Sequence, residues 1–285
     1  MPAEPRVRER TFTSSDNLAL FFRDWGEDTD AIPILCLPGL TRNSNDFSGF
    51  ARHLAPQRRV ICPDLRGRGR SARAADWRTY EPGTYLDDLR QLLAALGLGK
   101  VVVVGTSMGG LLGTAMAAAY PTTLAGLIIN DVGPDIGTAG AGRILTYISK
   151  DRPEADWPAA VRHLRERFPQ LSFTTDAEWL DFARGTYHEG DDGRLHFDWD
   201  VRLARPLLEP AEPPPDLWNL WRAIRAVPAL AIRGGVSDIL SAETFQRMKA
   251  EKPDLVQITI PGVGHCPTLA EPAARKAIDE FLAQF

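Results

Sequence analysis

Residues 100–121, KVVVVGTSMGGLLGTAMAAAYP, restrict the fold more than any other part of the chain. Four consecutive valines between a lysine and a glycine predict a strand covered on both faces, since a strand with one wet face alternates apolar and polar residues. The alanine- and leucine-rich run over 111–120 predicts a helix, stopped by Pro121. Only Gly105-Thr106-Ser107-Met108-Gly109 is left to reverse the chain between them. A doubly covered strand feeding directly into a helix implies a parallel sheet with helices on its faces.

The rest of the chain repeats this rhythm on either side of one interruption. Two strands are expected around Val7, Thr11 and Thr13 and over 19–25, joined by a polar turn at 14–17. Apolar strands follow at 32–37, 60–62 and 124–130, with helices over 45–54 and 80–96. From Pro134 to about Trp221 the valine-rich runs vanish, and helical patterns rich in Trp, Arg and acidic residues replace them. Five of the seven tryptophans lie here, Trp157, Trp179 and Trp199 before a proline-dense linker, EPAEPPPD, and Trp218 and Trp221 just after it. The strand–helix rhythm resumes with a strand at 229–233, a helix at 241–250, a strand at 256–260 and a helix at 270–285. We therefore expect one α/β core, residues 1–133 and 222–285, with a doubly wound and mostly parallel sheet, carrying a helical cap inserted at 134–221.

Composition narrows the partners. A net charge of −4 with acidic and basic residues interleaved gives no basic face for nucleic acid. No run approaches the roughly 20 apolar residues that cross a bilayer, and the N-terminal residues lack the apolar core of a signal peptide. A cytoplasmic protein is the expectation. Cys36, Cys62 and Cys266 fit no zinc or redox spacing. The first two fall in apolar strands, where cysteine packs as a small hydrophobe. Cys266 adjoins a histidine of interest, so its reactivity stands as an alternative to packing.

The pentapeptide at 105–109 fits G-x-S-x-G, a turn that holds a serine hydroxyl clear of the sheet at the start of a helix. Its glycines are needed because a Cβ at the flanking positions would collide within so tight a reversal. A serine hydroxyl needs a base to take its proton. Of the five histidines, His265 in PGVGHCPTLAEP lies in a glycine-rich loop after a strand, where open α/β sheets place their sites. His53 falls in a helix, and His163, His188 and His196 lie in the presumed cap, with surface or packing roles expected. The base needs a carboxylate to fix its tautomer. Asp238, in RGGVSDIL directly after the strand at 229–233, is the expected one and gives the chain order Ser, Asp, His. Asp131, ending the strand LIIN, is the alternative, with fixing the loop that launches the cap as its other reading.

Taken together, the G-x-S-x-G turn, PDLRGRGRS at 63–71, the aspartate after the penultimate strand and GVGHCPTLAEP resemble the α/β-hydrolase superfamily. The likeness is nearest to its capped carboxylesterase, lactonase and C–C-bond hydrolase branch. The resemblance implies an oxyanion hole built from the backbone N–H groups of Met108 and Leu40. This chain has Pro38-Gly39 where the family usually has His-Gly. It also implies that PDLRGRGRS is a structural turn. Its glycines imitate a dinucleotide fingerprint, but they come several residues after the strand and open no helix, so no cofactor is expected. No metal-ligand cluster is visible either.

The function expected is hydrolysis of a small carboxylic ester with an apolar portion, through an acyl-enzyme, by a serine hydrolase. Lactone hydrolysis, C–C cleavage of a dienoate and a non-turnover small-molecule receptor on the same fold are the alternatives. Dehalogenation and epoxide hydrolysis, which on this scaffold use an aspartate nucleophile, are disfavoured by Ser107.

Overall fold

The computed structural model describes residues 5–209 and 215–285. Most of the proline-dense linker thus lies outside the described residues. An eight-stranded sheet is built from β1 (Val7–Thr13), β2 (Ala19–Trp25), β3 (Ile34–Leu37), β4 (Val60–Pro63), β5 (Val101–Thr106), β6 (Leu124–Asn130), β9 (Ala229–Gly234) and β10 (Val256–Ile260). The order is β1-β2-β4-β3-β5-β6-β9-β10. The first two strands form an antiparallel hairpin, with Val7 opposite Trp25 and Thr13 opposite Ala19, and β2 runs antiparallel to β4. All other pairings are parallel.

The valine run shows why the centre of the sheet is so apolar. Val101 and Val103 enter one hydrophobic core, while Val102 and Val104 enter another on the opposite face. All four are fully buried, as the period of two in a strand requires. Helices α1 (Ser48–Leu54) and α10 (Pro272–Leu282) contribute to the second core. Helices α2 (Pro82–Ala95), α3 (Met108–Ala119) and α9 (Ala242–Glu251) contribute to the first. Local chemistry starts these helices. Glu81 accepts the Gly83 and Thr84 N–H groups ahead of Pro82 at the first turn of α2, and Ser241 caps α9 through Thr244 N–H.

Between β6 and β9 the chain makes an excursion holding α4 (Thr138–Ile148), α5 (Trp157–Arg167), α6 (Asp176–Arg184) and the four-residue α7 (Arg205–Leu208). Thr175 and Glu178 form a reciprocal capping box on α6. The excursion also contains a small hairpin, β7 (Tyr187–Glu189) with β8 (Leu195–Phe197), where only helical patterns were expected. Strands of three residues are too short to show alternation. Tyr147, Tyr187, Phe197 and Trp199 cluster here, with Phe197 stacked on Trp199 at 4.0 Å. Helix α8 (Leu217–Ala223) returns the chain to the sheet side, where Trp221 donates to the Met248 carbonyl in α9 at 3.2 Å.

The seam between excursion and sheet is polar. The Asn43 amide donates to the Gly185 carbonyl at 3.1 Å and to Asp198 at 2.9 Å. Tyr80 donates to Asp200 at 2.7 Å. Arg42 holds Asp46 (Nε to Oδ2, 2.7 Å), donates to Thr186 and lies over the Phe182 ring. Among the described residues no helix is long and apolar enough to cross a membrane.

Candidate active site

Ser107 stands between β5 and α3 with φ +53° and ψ −119°, a backbone shape that side chains rarely adopt. The reversal depends on close backbone approach. A Cβ on Gly109 would lie 2.0 Å from the Leu37 carbonyl oxygen, and one on Gly105 would lie 2.3 Å from that of Gly109. Ser107 itself is only partly covered and stands at the C-terminal rim of the sheet. The His265 Nε2 atom lies 2.9 Å from Ser107 Oγ, and His265 Nδ1 lies 2.7 Å from Asp131 Oδ2.

Asp131, not Asp238, therefore faces His265. Sheet register explains the correction. Thr106 of β5 pairs with Asn130 of β6, so the next residues along the two strands, Ser107 and Asp131, emerge side by side. Asp131 is fully buried at φ +57°. Its carboxylate accepts the Gly234 N–H at 2.8 Å, from the last residue of β9, and the Ser237 hydroxyl at 2.6 Å, from the loop after it. The strand end and its loop supply donors to the carboxylate instead of supplying the carboxylate. Asp238 turns outward and pairs with Arg143 of α4.

Two further neighbours complete the surroundings. The loop after β3 runs beside the serine, since a Cβ on Gly39 would lie 3.8 Å from that of Ser107, and Leu40 follows it. Met108 opens α3, so its N–H belongs to the unpaired first turn. Burial, reinforced by the Asp131 charge, pushes the Cys266 thiol up, so it stays protonated at neutral pH and offers no thiolate. Cys36 and Cys62 are buried in β3 and β4. The other histidines lie elsewhere: His53 with Asp279, His163 with Glu154, His188 near Asp198 and His196 with Asp151 and Asp192.

A cavity of about 450 Å³ opens beside this rim, without Ser107 or His265 in its wall. Thr106 and Cys266, the chain neighbours of Ser107 and His265, form part of its wall, and Leu171, Phe173 and Phe182 cover it from the excursion. Its size is that of a small-molecule site. An alcohol, an imidazole and a buried carboxylate in hydrogen-bonded series can move a proton off the alcohol as it attacks a carbonyl carbon.

Comparison with known proteins agrees with the architecture. Residues 32–270 match the family model described as alpha/beta hydrolase fold. The chain is 31% identical to the 3-hydroxybutyrate-oligomer hydrolase of Cupriavidus necator, with 99% of each chain covered. It is 26% identical to the 2-(acetamidomethylene)succinate hydrolase of Mesorhizobium japonicum, over 87% of each. The crystal structure of an alpha/beta hydrolase from Novosphingobium aromaticivorans superposes with a TM-score of 0.91 at 42% identity and full coverage of both chains. By the span of the family match and by the relatives it resembles from end to end, this chain belongs to the alpha/beta hydrolase family.

Proposed function

We propose that the protein is a serine hydrolase that cleaves small carboxylic esters through an acyl-enzyme, with Ser107 as nucleophile, His265 as base and Asp131 as the acid. The observation that carries this reading is the unbroken series Ser107–His265–Asp131, at 2.9 and 2.7 Å. In the proposed cycle Ser107 Oγ attacks the ester carbonyl while His265 Nε2 takes its proton. The imidazolium is stabilised by Asp131 and then protonates the departing alcohol. Water repeats the sequence on the acyl-enzyme and frees the serine. The negative oxygen of each tetrahedral intermediate is received by the Leu40 and Met108 N–H groups.

Residues 134–221 act as a cap in this reading, and the cavity beneath it takes the apolar part of the substrate. Hydroxy acids condense through ester bonds, so the name of the Cupriavidus necator relative favours short hydroxyacyl esters among the candidates. The test is a screen over short p-nitrophenyl esters, 3-hydroxybutyrate dimer and trimer, a lactone and a dienoate, with Ser107→Ala as control. Multiple turnover of esters is expected, with kcat lowered on the order of 10⁴- to 10⁶-fold in Ser107→Ala. More than a tenth of wild-type activity in that variant would remove Ser107 from the reaction. A single slow turnover with ligand-dependent loss of thermal stability would make the protein a receptor instead.

A further inference from the structure

The turn at 63–71 places a fully buried arginine next to the proposed site. Arg68 is 1% exposed, and its hydrogen-bond partners among the described residues are all neutral. Nε donates to the Leu40 carbonyl at 2.7 Å, and Nη1 donates to the Arg66 carbonyl at 2.7 Å and to the Tyr85 hydroxyl at 3.0 Å. Nη2 lies 3.8 Å from the Met108 sulfur. Arg66, two residues earlier and equally buried, is fully ion-paired with Asp88 and Asp16. Among the described residues no counter-ion contacts Arg68, a costly state for a buried cation, and besides Arg66 and Tyr85 it reaches Leu40 and Met108.

We propose that Arg68 is a positioning residue for the oxyanion hole, holding the Leu40 loop in register with the start of α3 and adding uncompensated positive charge where the intermediate becomes negative. This rests on the serine-hydrolase reading given above. Fixing the Leu40 carbonyl restrains the rotation of that residue, and with it the direction of its N–H. The charge is itself buried, where screening by water is weakest. The backbone of Arg68 is itself anchored from the cap side. Arg68 forms an antiparallel bridge with Trp199, Gly69 N–H donates to the Asp198 carbonyl at 2.9 Å, and Asp200 N–H donates to the Gly67 carbonyl at 2.8 Å. The cap thereby docks on the same turn whose side chain reaches the nucleophile's neighbours.

The test compares Arg68→Met and Arg68→Lys with wild type on p-nitrophenyl acetate, counting active sites with a fluorophosphonate and measuring inhibition by phenylboronic acid, which forms a tetrahedral adduct. Arg68→Met is expected to lower kcat per titrated site about 10- to 100-fold, with KM changed less than about threefold. Boronate affinity should weaken by the same factor as kcat/KM. Arg68→Lys, which keeps the charge but not the planar fork, should recover part of both. A merely structural role would show as fewer titratable sites or a lower Tm, with kcat per site and boronate affinity intact, and would overturn the proposal. Should Arg68→Met fail to fold, Arg68→Lys decides: wild-type kcat per site and boronate affinity in that variant overturn it. If Ser107→Ala stays active, the serine-hydrolase reading falls regardless of Arg68. If Ser107→Ala is dead and both Arg68 variants are unimpaired, only the present proposal falls.

Discussion

Ser107 and Asp131 both hold positive φ, at +53° and +57°, a shape costing on the order of 1–3 kcal/mol for a residue with a side chain. The surrounding backbone over-determines them. Ser107 N–H donates to the Asn130 carbonyl at 2.9 Å, and Asp131 N–H donates to the Ile232 carbonyl at 2.8 Å. Strain of this kind persists where neighbours leave no alternative. Gly109 is one such neighbour, with no room for a methyl group against the Leu37 carbonyl. Gly109→Ala is therefore expected to destabilise the protein by several kcal/mol or prevent folding, read by urea unfolding. Near-wild-type stability would mean that the turn is far looser than its geometry implies. The turn was legible in the sequence because its requirement for glycine is local. The partner of His265 was not. Asp131 and Asp238 both follow strands and both satisfy the order Ser, Asp, His, and only the pairing of Thr106 with Asn130 separates them.

At the level of elements, the seam between the sheet and the excursion that separates β6 from β9 carries the clearest pH dependence. Burial, with the Asp64 charge adding to it, raises the Asp198 carboxyl to about 7. The folded protein then keeps a proton that the unfolded chain releases between the usual carboxylate range and neutrality. Stability from this group accordingly falls as pH rises through that window. Asn in place of Asp198 mimics the protonated form at every pH and can still accept the Asn43 amide. The difference in Tm, Asp198→Asn minus wild type, is expected to be near zero at pH 4 and positive at pH 8. The gain at pH 8 should correspond to about 4 kcal/mol, or several degrees. A difference that does not grow with pH would contradict the raised carboxyl. The sequence revealed the long elements on either side of this seam through their periodicity. It hid the β7–β8 hairpin, whose three-residue strands are defined by the partner they meet.

Across the whole molecule, the site lies at the point where the sheet changes direction. The chain leaves β3 outward to β4, then crosses back to β5 on the other side of β3. Loops after β3 and β5 thus diverge and leave a crevice, the position favoured for ligands in open α/β sheets. Leu40 enters from the first loop and Ser107 from the second, Asp131 follows β6, and His265 reaches in from beyond β10, at the sheet edge. Four segments remote in sequence meet because the order of strands brings their ends to one rim. That order rests on contacts between distant parts of the chain, so no single stretch of sequence displays it.

The carboxylate that faces His265 is that of Asp131, the residue that follows β6. Asp131→Asn and Asp238→Asn, assayed side by side for kcat on one turned-over ester, test its proposed role as the acid directly. The geometry predicts a loss of about 10⁴-fold in Asp131→Asn and a change of no more than a few-fold in Asp238→Asn, whose partner is Arg143. A severe loss in Asp238→Asn with Asp131→Asn near wild type would contradict it.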